Sequence, residues 1–159
     1  MKHIICFSGV SGSGKTTLIE KISKQLKKDN AKVSIIKNDP KNKAVFDVDG
    51  KDSDRFFKTK ADVVVTSPKK TTFFINKSLS IQEIINKLDF EYLLIEGHKE
   101  LPYPRISVFR DEVHSDYVDI SHSFACKNIK DFSMIEDKNI FELDDIKSII
   151  LWIKEQNNG

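Results

Sequence analysis

Gly9-Val10-Ser11-Gly12-Ser13-Gly14-Lys15-Thr16 is the stretch that decides how this chain is read. It satisfies G-x-x-x-x-G-K-S/T, the P-loop or Walker A pattern. Before it, Ile4-Ile5-Cys6-Phe7 is a short apolar run closed by a glycine turn, which predicts a buried strand. After it, Leu18, Ile22 and Leu26 recur every four residues and predict the inner face of a helix. Strand, glycine turn and helix together aim backbone N–H groups and a helix N-terminus at one anion. Glycines at 9, 12 and 14 permit backbone conformations that a Cβ forbids and let the loop approach phosphate closely. The predicted nucleotide contacts of the loop are Gly9, Ser11, Gly12, Ser13, Gly14, Lys15, Thr16 and Thr17. Lys15 is expected against the β and γ phosphates as the catalytic cation, and the Thr16 hydroxyl on Mg²⁺.

At 159 residues one domain over 1–159 is expected, with enough chain to bury a core. Basic and acidic residues number 26 and 24, so the net charge of +2 sets up no strong field for nucleic acid. The lysines at 21, 24, 27 and 28 read as the solvated face of the first helix. Cys6 and Cys126 show no C-x-x-C spacing, and Cys6 reads as a small buried hydrophobe. Met1-Lys2-His3 leads into a strand within a few residues, and no apolar run approaches the roughly 20 residues of a membrane span. A cytoplasmic protein without membrane contact is expected.

Further along, Lys32–Ile36 predicts a second strand that stops at Asn38-Asp39-Pro40. Residues 38–51 form a polar loop too long for a plain connector. A short helix opens at Asp52–Phe57, with Asp52 or Ser53 as N-cap. Asp62–Thr66 and Thr71–Ile75 predict two strands of a hairpin. Ser80-Ile81-Gln82-Glu83 is a capping box, and Ile81, Ile84, Ile85 and Leu88 make one face of the helix it starts. Tyr92–Ile95 and Ile106–Phe109 are strands, residues 117–128 alternate weakly as another, and a final helix begins near Asp144. The runs Ile4–Phe7, Val33–Ile36, Val63–Val65 and Leu93–Ile95 are apolar on both faces. That pattern predicts a P-loop NTPase-type three-layer α/β fold: a mostly parallel sheet, helices on both faces and an antiparallel hairpin.

In an open α/β sheet ligands bind at the carboxyl ends of the strands, and the P-loop marks that edge. Glu96, at a strand end, is the expected second metal-side carboxylate, since Mg²⁺ takes oxygen ligands. Asp39, Asp47 and Asp49 in the long loop are further candidates to order against phosphate and metal. Asp47–Asp52 lacks the bidentate glutamate and flanking helices of a calcium loop. The four histidines are scattered without zinc spacing. Asn76-Lys77-Ser78-Leu79 lacks the aspartate of a guanine-reading N-K-x-D and reads as a turn.

The ordered matches GVSGSGKTT (Gly9–Thr17), FDVDGKDSDR (Phe46–Arg55), EGHK (Glu96–Lys99) and Pro104-Arg105-Ile106 leading to Arg110 carry a resemblance. The sequence resembles the molybdopterin-guanine dinucleotide biosynthesis adapter protein B family over roughly residues 1–110. The resemblance implies a homodimeric P-loop protein that binds GTP with Mg²⁺ and hydrolyses it weakly. It further implies that the chain assists the molybdenum cofactor guanylyltransferase and contacts the molybdenum-inserting enzyme. On the same basis Asp49 and Lys51 are nucleotide-binding, Asp47 is catalytic and metal-binding, and Thr16 and Glu96 complete the metal set. A P-loop small-molecule kinase with Asp39 as base is the alternative. Lys15→Ala is expected to abolish most GTP affinity in calorimetry while leaving the circular dichroism spectrum unchanged, because the side chain serves the ligand rather than the core.

Overall fold

β1 (His3–Ser8) runs through the interior of a six-stranded sheet in the computed structural model, which describes residues 1–156. The last three positions of the expected 1–159 domain lie outside the described residues. In chain order follow α1 (Lys15–Lys28), β2 (Val33–Lys37), α2 (Asp52–Lys58), β3 (Val63–Thr66), β4 (Thr71–Phe74) and α3 (Ile81–Lys87). Then come β5 (Tyr92–Glu96), β6 (Arg105–Arg110), a 3-10 turn at Ser115–Tyr117, β7 (Ser123–Lys127), β8 (Asn139–Glu142) and α4 (Ile146–Glu155). The six-stranded sheet has the order β2-β5-β1-β6-β7-β8, and its strand pairings among the described residues are parallel. The α/β fold with a parallel sheet and a separate hairpin is the one the sequence predicts.

The chain divides into two compact units, one of residues 1–38 with the chain from Asp89 onward, the other Asp39–Leu88. In the first unit every residue of β1 is buried, as an apolar strand covered on both faces must be. Ile5 and Phe7 of β1, Leu94 of β5 and Val108 of β6 share one core cluster with α1 and α4. Helix α1 contributes Leu18, Ile19, Ile22 and Leu26; α4 contributes Ile149, Ile150, Trp152 and Ile153. A second cluster stacks Phe109 on Phe124, ring centroids 5.5 Å apart, and adds Cys126 and Ile135. Burial pushes the Cys6 and Cys126 thiols up to about 11, so both behave as apolar filler.

In the second unit β3 and β4 pair antiparallel, with Val64 opposite Phe73. The hairpin turns at Ser67, whose hydroxyl oxygen accepts from the Lys70 amide at 3.0 Å. This corrects one expectation. Val63–Val65 is not a covered strand of the parallel sheet; Val64 is 51 % exposed. A β-branched run specifies extended backbone, and its composition does not say which partner pairs with it. Asn76 is a structural residue: its amide Nδ2 donates to the Ala61 carbonyl at 2.6 Å and its backbone N–H to Asp62 Oδ1 at 2.7 Å.

Helix α3 carries the expected capping box, the Ser80 hydroxyl and Glu83 carboxylate each serving the other's backbone amide. Helix α2 opens at Asp52 as expected, but its N-cap is Lys51 rather than Asp52 or Ser53. Acidic residues suit both places, cap and first turn alike, so composition does not separate them. Of the stretch 117–128 only Ser123–Lys127 is strand, and β8 lies beyond the predicted strands. Ile22→Ala, at a fully buried position of α1, is expected to cost about 3 kcal/mol in urea denaturation followed by circular dichroism.

Candidate functional site: a glycine loop between two strand ends

The loop follows β1 because a glycine stands where no side chain fits. A Cβ on Gly9, at φ +131°, would lie 2.5 Å from the Val108 carbonyl oxygen of β6. Gly14, at φ +105°, is the N-cap of α1, and its carbonyl accepts from the Leu18 amide at 2.9 Å. Lys15 folds back over the loop, its Nζ donating to the carbonyls of Gly9 at 2.9 Å and Val10 at 2.7 Å. Burial is the main influence on this ammonium and lowers its pKa; Glu96 opposes that and Lys37 adds to it. The Ser13 hydroxyl is buried without a hydrogen-bond partner among the described residues, a costly arrangement for a polar group.

A cavity of about 320 Å³ opens beside the loop, lined by Ser11, Gly12, Gly14, Lys15, Thr16, Thr17, Lys37 and Glu96. The Thr16 hydroxyl donates to Glu96 Oε2 at 3.4 Å, and Lys37 Nζ reaches both Glu96 oxygens at 3.1 Å. The parallel register explains the third member: Lys37 ends β2 directly opposite Glu96 at the end of β5. Lys37 escaped the sequence reading because nothing in the sequence says that β2 pairs with β5. A second cavity, of about 420 Å³, is lined by Val10–Ser13 together with Arg110, Asp111, Glu112 and His114 beyond β6.

Arg105 holds the segment after Glu96. It is 1 % exposed, and its Nη1 donates to Ser8 Oγ at 2.7 Å. Its guanidinium also donates to the carbonyls of Gly97 at 3.4 Å, His98 at 2.9 Å, Lys99 at 3.1 Å and Leu101 at 3.2 Å. Five acceptors on one rigid fork tie the Glu-Gly-His-Lys turn to the strand that carries the P-loop. His98, at φ +52°, belongs to that turn, its Nδ1 lying 3.0 Å from Glu100 Oε1.

Of the predicted site residues, the loop residues, Lys15, Thr16, Thr17 and Glu96 belong to the first unit, and Thr16 and Glu96 are in contact. Asp47, Asp49 and Lys51 belong to the second. There Asp47 Oδ1 accepts from the Val48 amide at 2.8 Å, while its Oδ2 is buried without a hydrogen-bond partner among the described residues. Asp47 lines a cleft of about 260 Å³ with Phe46, Ser53, Lys70 and Phe74. Asp49 accepts from Lys58 Nζ at 2.6 Å, and Asp39 Oδ2 from the Ala44 amide at 2.6 Å.

Residues 4–127 match the family model described as molybdopterin guanine dinucleotide synthesis protein B. The chain belongs to this family. It is 30 % identical over 155 residues to a Methanocaldococcus jannaschii protein provisionally assigned as a molybdopterin-guanine dinucleotide biosynthesis adapter, covering 93 % of this chain and 60 % of that one. It is 27 % identical over 157 residues to the Haemophilus influenzae adapter protein of the same name, covering 95 % and 87 %. The chain therefore spans 60 % of the length of the archaeal relative. Among solved structures, MobB of Bacillus subtilis superposes with TM-score 0.79 at 20 % identity over 99 % of both chains. A MobB homologue from Bacillus stearothermophilus gives 0.69 at 14 %, covering 96 % of this chain and 99 % of that one. These two establish the fold alone. No helix among the described residues is long and apolar enough to cross a membrane.

Arg105→Ala takes the side-chain donor from the carbonyls of Gly97, Lys99 and Leu101 and from a buried hydroxyl, and is expected to cost about 3 kcal/mol or more. Urea unfolding measures the loss, and proteolysis within residues 97–101 is expected to accelerate.

Proposed function

We propose that this chain is a GTP-binding adapter with weak Mg²⁺-dependent GTPase activity in molybdopterin guanine dinucleotide biosynthesis. The observation that carries the reading is the Thr16–Glu96 contact at 3.4 Å beside a phosphate loop over which Lys15 is already held. A hydroxyl and a carboxylate are hard oxygen donors, and such donors suit Mg²⁺. Bound Mg²⁺ would offset charge on the β and γ phosphate oxygens. The residues around it do the rest. Loop amides and the N-terminus of α1 grip the phosphates, and Lys15 exchanges its two carbonyl partners for phosphate oxygens. Thr16 and Glu96 hold the metal, and Lys37 competes with it for Glu96.

Hydrolysis is slow in this reading because the cavity is lined by no glutamine, and its one carboxylate is engaged by Thr16 and Lys37. A group that orients water or neutralises transition-state charge is worth several orders of magnitude in such reactions. The roles of Asp47, Asp49 and Lys51 rest on the family resemblance. The partners are the guanylyltransferase that joins GMP to molybdopterin and the molybdenum-inserting enzyme, in the cytoplasm. Homodimerisation belongs to the same proposal and is supported by Val64 and Phe73, both exposed and opposite each other on the β3–β4 hairpin, since contiguous exposed apolar surface marks association sites. The kinase alternative is weaker, because the Asp39 carboxylate is engaged by a local amide.

Titration calorimetry with GTP and ATP, with and without Mg²⁺, tests the proposal. GTP is expected to bind in preference, and Mg²⁺ to tighten it. Thr16→Ala is expected to erase most of the Mg²⁺ effect. Preferential ATP binding, or affinity indifferent to Mg²⁺, defeats the proposal.

A further inference from the structure

We propose that the cavity beyond β6 receives the nucleobase, and that Asp111 reads guanine there. The inference rests on the nucleotide-binding reading above and supplies what that reading lacks, a base contact.

Strand order supplies the direction. β5 and β6 flank β1 on opposite sides. The metal-side pair, Thr16 and Glu96, lies over β5, so the terminal phosphates belong there. A nucleotide whose terminal phosphates sit over β5 carries its nucleoside toward β6. The cavity of about 420 Å³ opens there, and it shares Ser11 and Gly12 with the phosphate cavity. It has room for a purine.

Its far wall carries the chemistry. Arg110 ends β6 with its Nη2 3.5 Å from the point where a Gly14 Cβ would stand. A guanidinium there neutralises phosphate without regard to the base. Asp111 follows at φ +70°, unusual for a residue with a side chain. Two contacts hold it. Its backbone N–H donates to the Lys127 carbonyl at 3.0 Å, and its Oδ1 accepts from Asn128 Nδ2 at 3.2 Å. Asn128 is itself at φ +60°. Glu112 is turned to His114, with Oε1 and Nε2 3.6 Å apart, so Asp111 is the better placed carboxylate. His114 packs on Phe109 with ring centroids 6.0 Å apart and offers a flat side wall.

A carboxylate only accepts hydrogen bonds. Guanine presents two adjacent donors, N1–H and the 2-amino group, and meets both oxygens of one carboxylate. Adenine sets a lone pair at N1 beside its amino group, which a carboxylate repels. Polar sites of this kind reject the unmatched analogue strongly.

Fluorescent and unlabelled nucleotides, with Mg²⁺, test this in equilibrium binding. Wild-type protein is expected to bind ITP, which lacks the 2-amino group, about tenfold more weakly than GTP, and ATP more weakly still. Asp111→Asn is expected to lose GTP affinity by about tenfold or more and to gain XTP affinity, because its amide donates to the xanthine 2-oxo group. Asp111→Gly, which accepts φ +70° without strain, is expected to lose the GTP preference without gaining XTP. Arg110→Ala is expected to weaken GTP, ITP and XTP alike. A folded Asp111→Asn or Asp111→Gly that keeps the GTP preference overturns the assignment, and so does wild-type protein that binds GTP, ITP and ATP equally. In both results the phosphate site survives. Absence of any nucleotide binding to the wild type defeats the nucleotide reading itself.

Discussion

The contact between Gly9 and the Val108 carbonyl underlies the rest of the first unit. A peptide must pass so close to β6 that a methyl group at this α-carbon would sit 2.5 Å from a backbone oxygen. That approach turns the chain off the end of β1 and into α1. The turn sets the N-terminus of α1 at the carboxyl edge of a parallel sheet, where Gly14 serves as its N-cap. Backbone N–H groups left over at a helix start are what an anion requires. Core packing then holds the helix in place, through Leu18, Ile22 and Leu26 against β1, β5 and β6.

Around this loop the neighbouring strands contribute opposite chemistry. β5 brings Glu96, shared between a hydroxyl and an ammonium. β6 brings Arg110 and Asp111 to the other cavity. Arg105, at the base of β6, fastens the turn after Glu96 with backbone carbonyls as its acceptors. Burying a cation is costly, and the cost here is offset by the carbonyl dipoles that face the guanidinium. The same residue thereby couples the end of β1 to the turn after β5.

The second unit is built differently. It has a two-stranded sheet and two short helices, and α2 contributes no buried residue. A two-stranded hairpin alone is marginal in water. Here side chains reinforce it: Asn76 fastens the base of the hairpin, and Phe57 packs on Phe74 at 6.1 Å between centroids. Exposed Val45, Phe46 and Val48 in the preceding loop share the unit with the buried Asp47 oxygen that has no hydrogen-bond partner among the described residues.

Much of this was legible in the chain itself. Glycines at fixed spacing, flanked by an apolar run and a four-residue periodicity, determine strand, glycine turn and helix through local sterics and burial. Ser80 and Glu83 determine a helix start because a capping box closes within four residues. Glu96 was legible as a candidate because it ends an apolar strand. The tertiary structure alone decided that Lys37 faces Glu96, that Arg105 is buried beneath the turn, and that Val63–Val65 pairs with β4. It alone brought Arg110 and Asp111 beside Val10–Ser13. The reason is physical: local rules act over a helical turn or a strand period, whereas these contacts depend on which strands become neighbours, and that order is settled by the packing of the whole sheet.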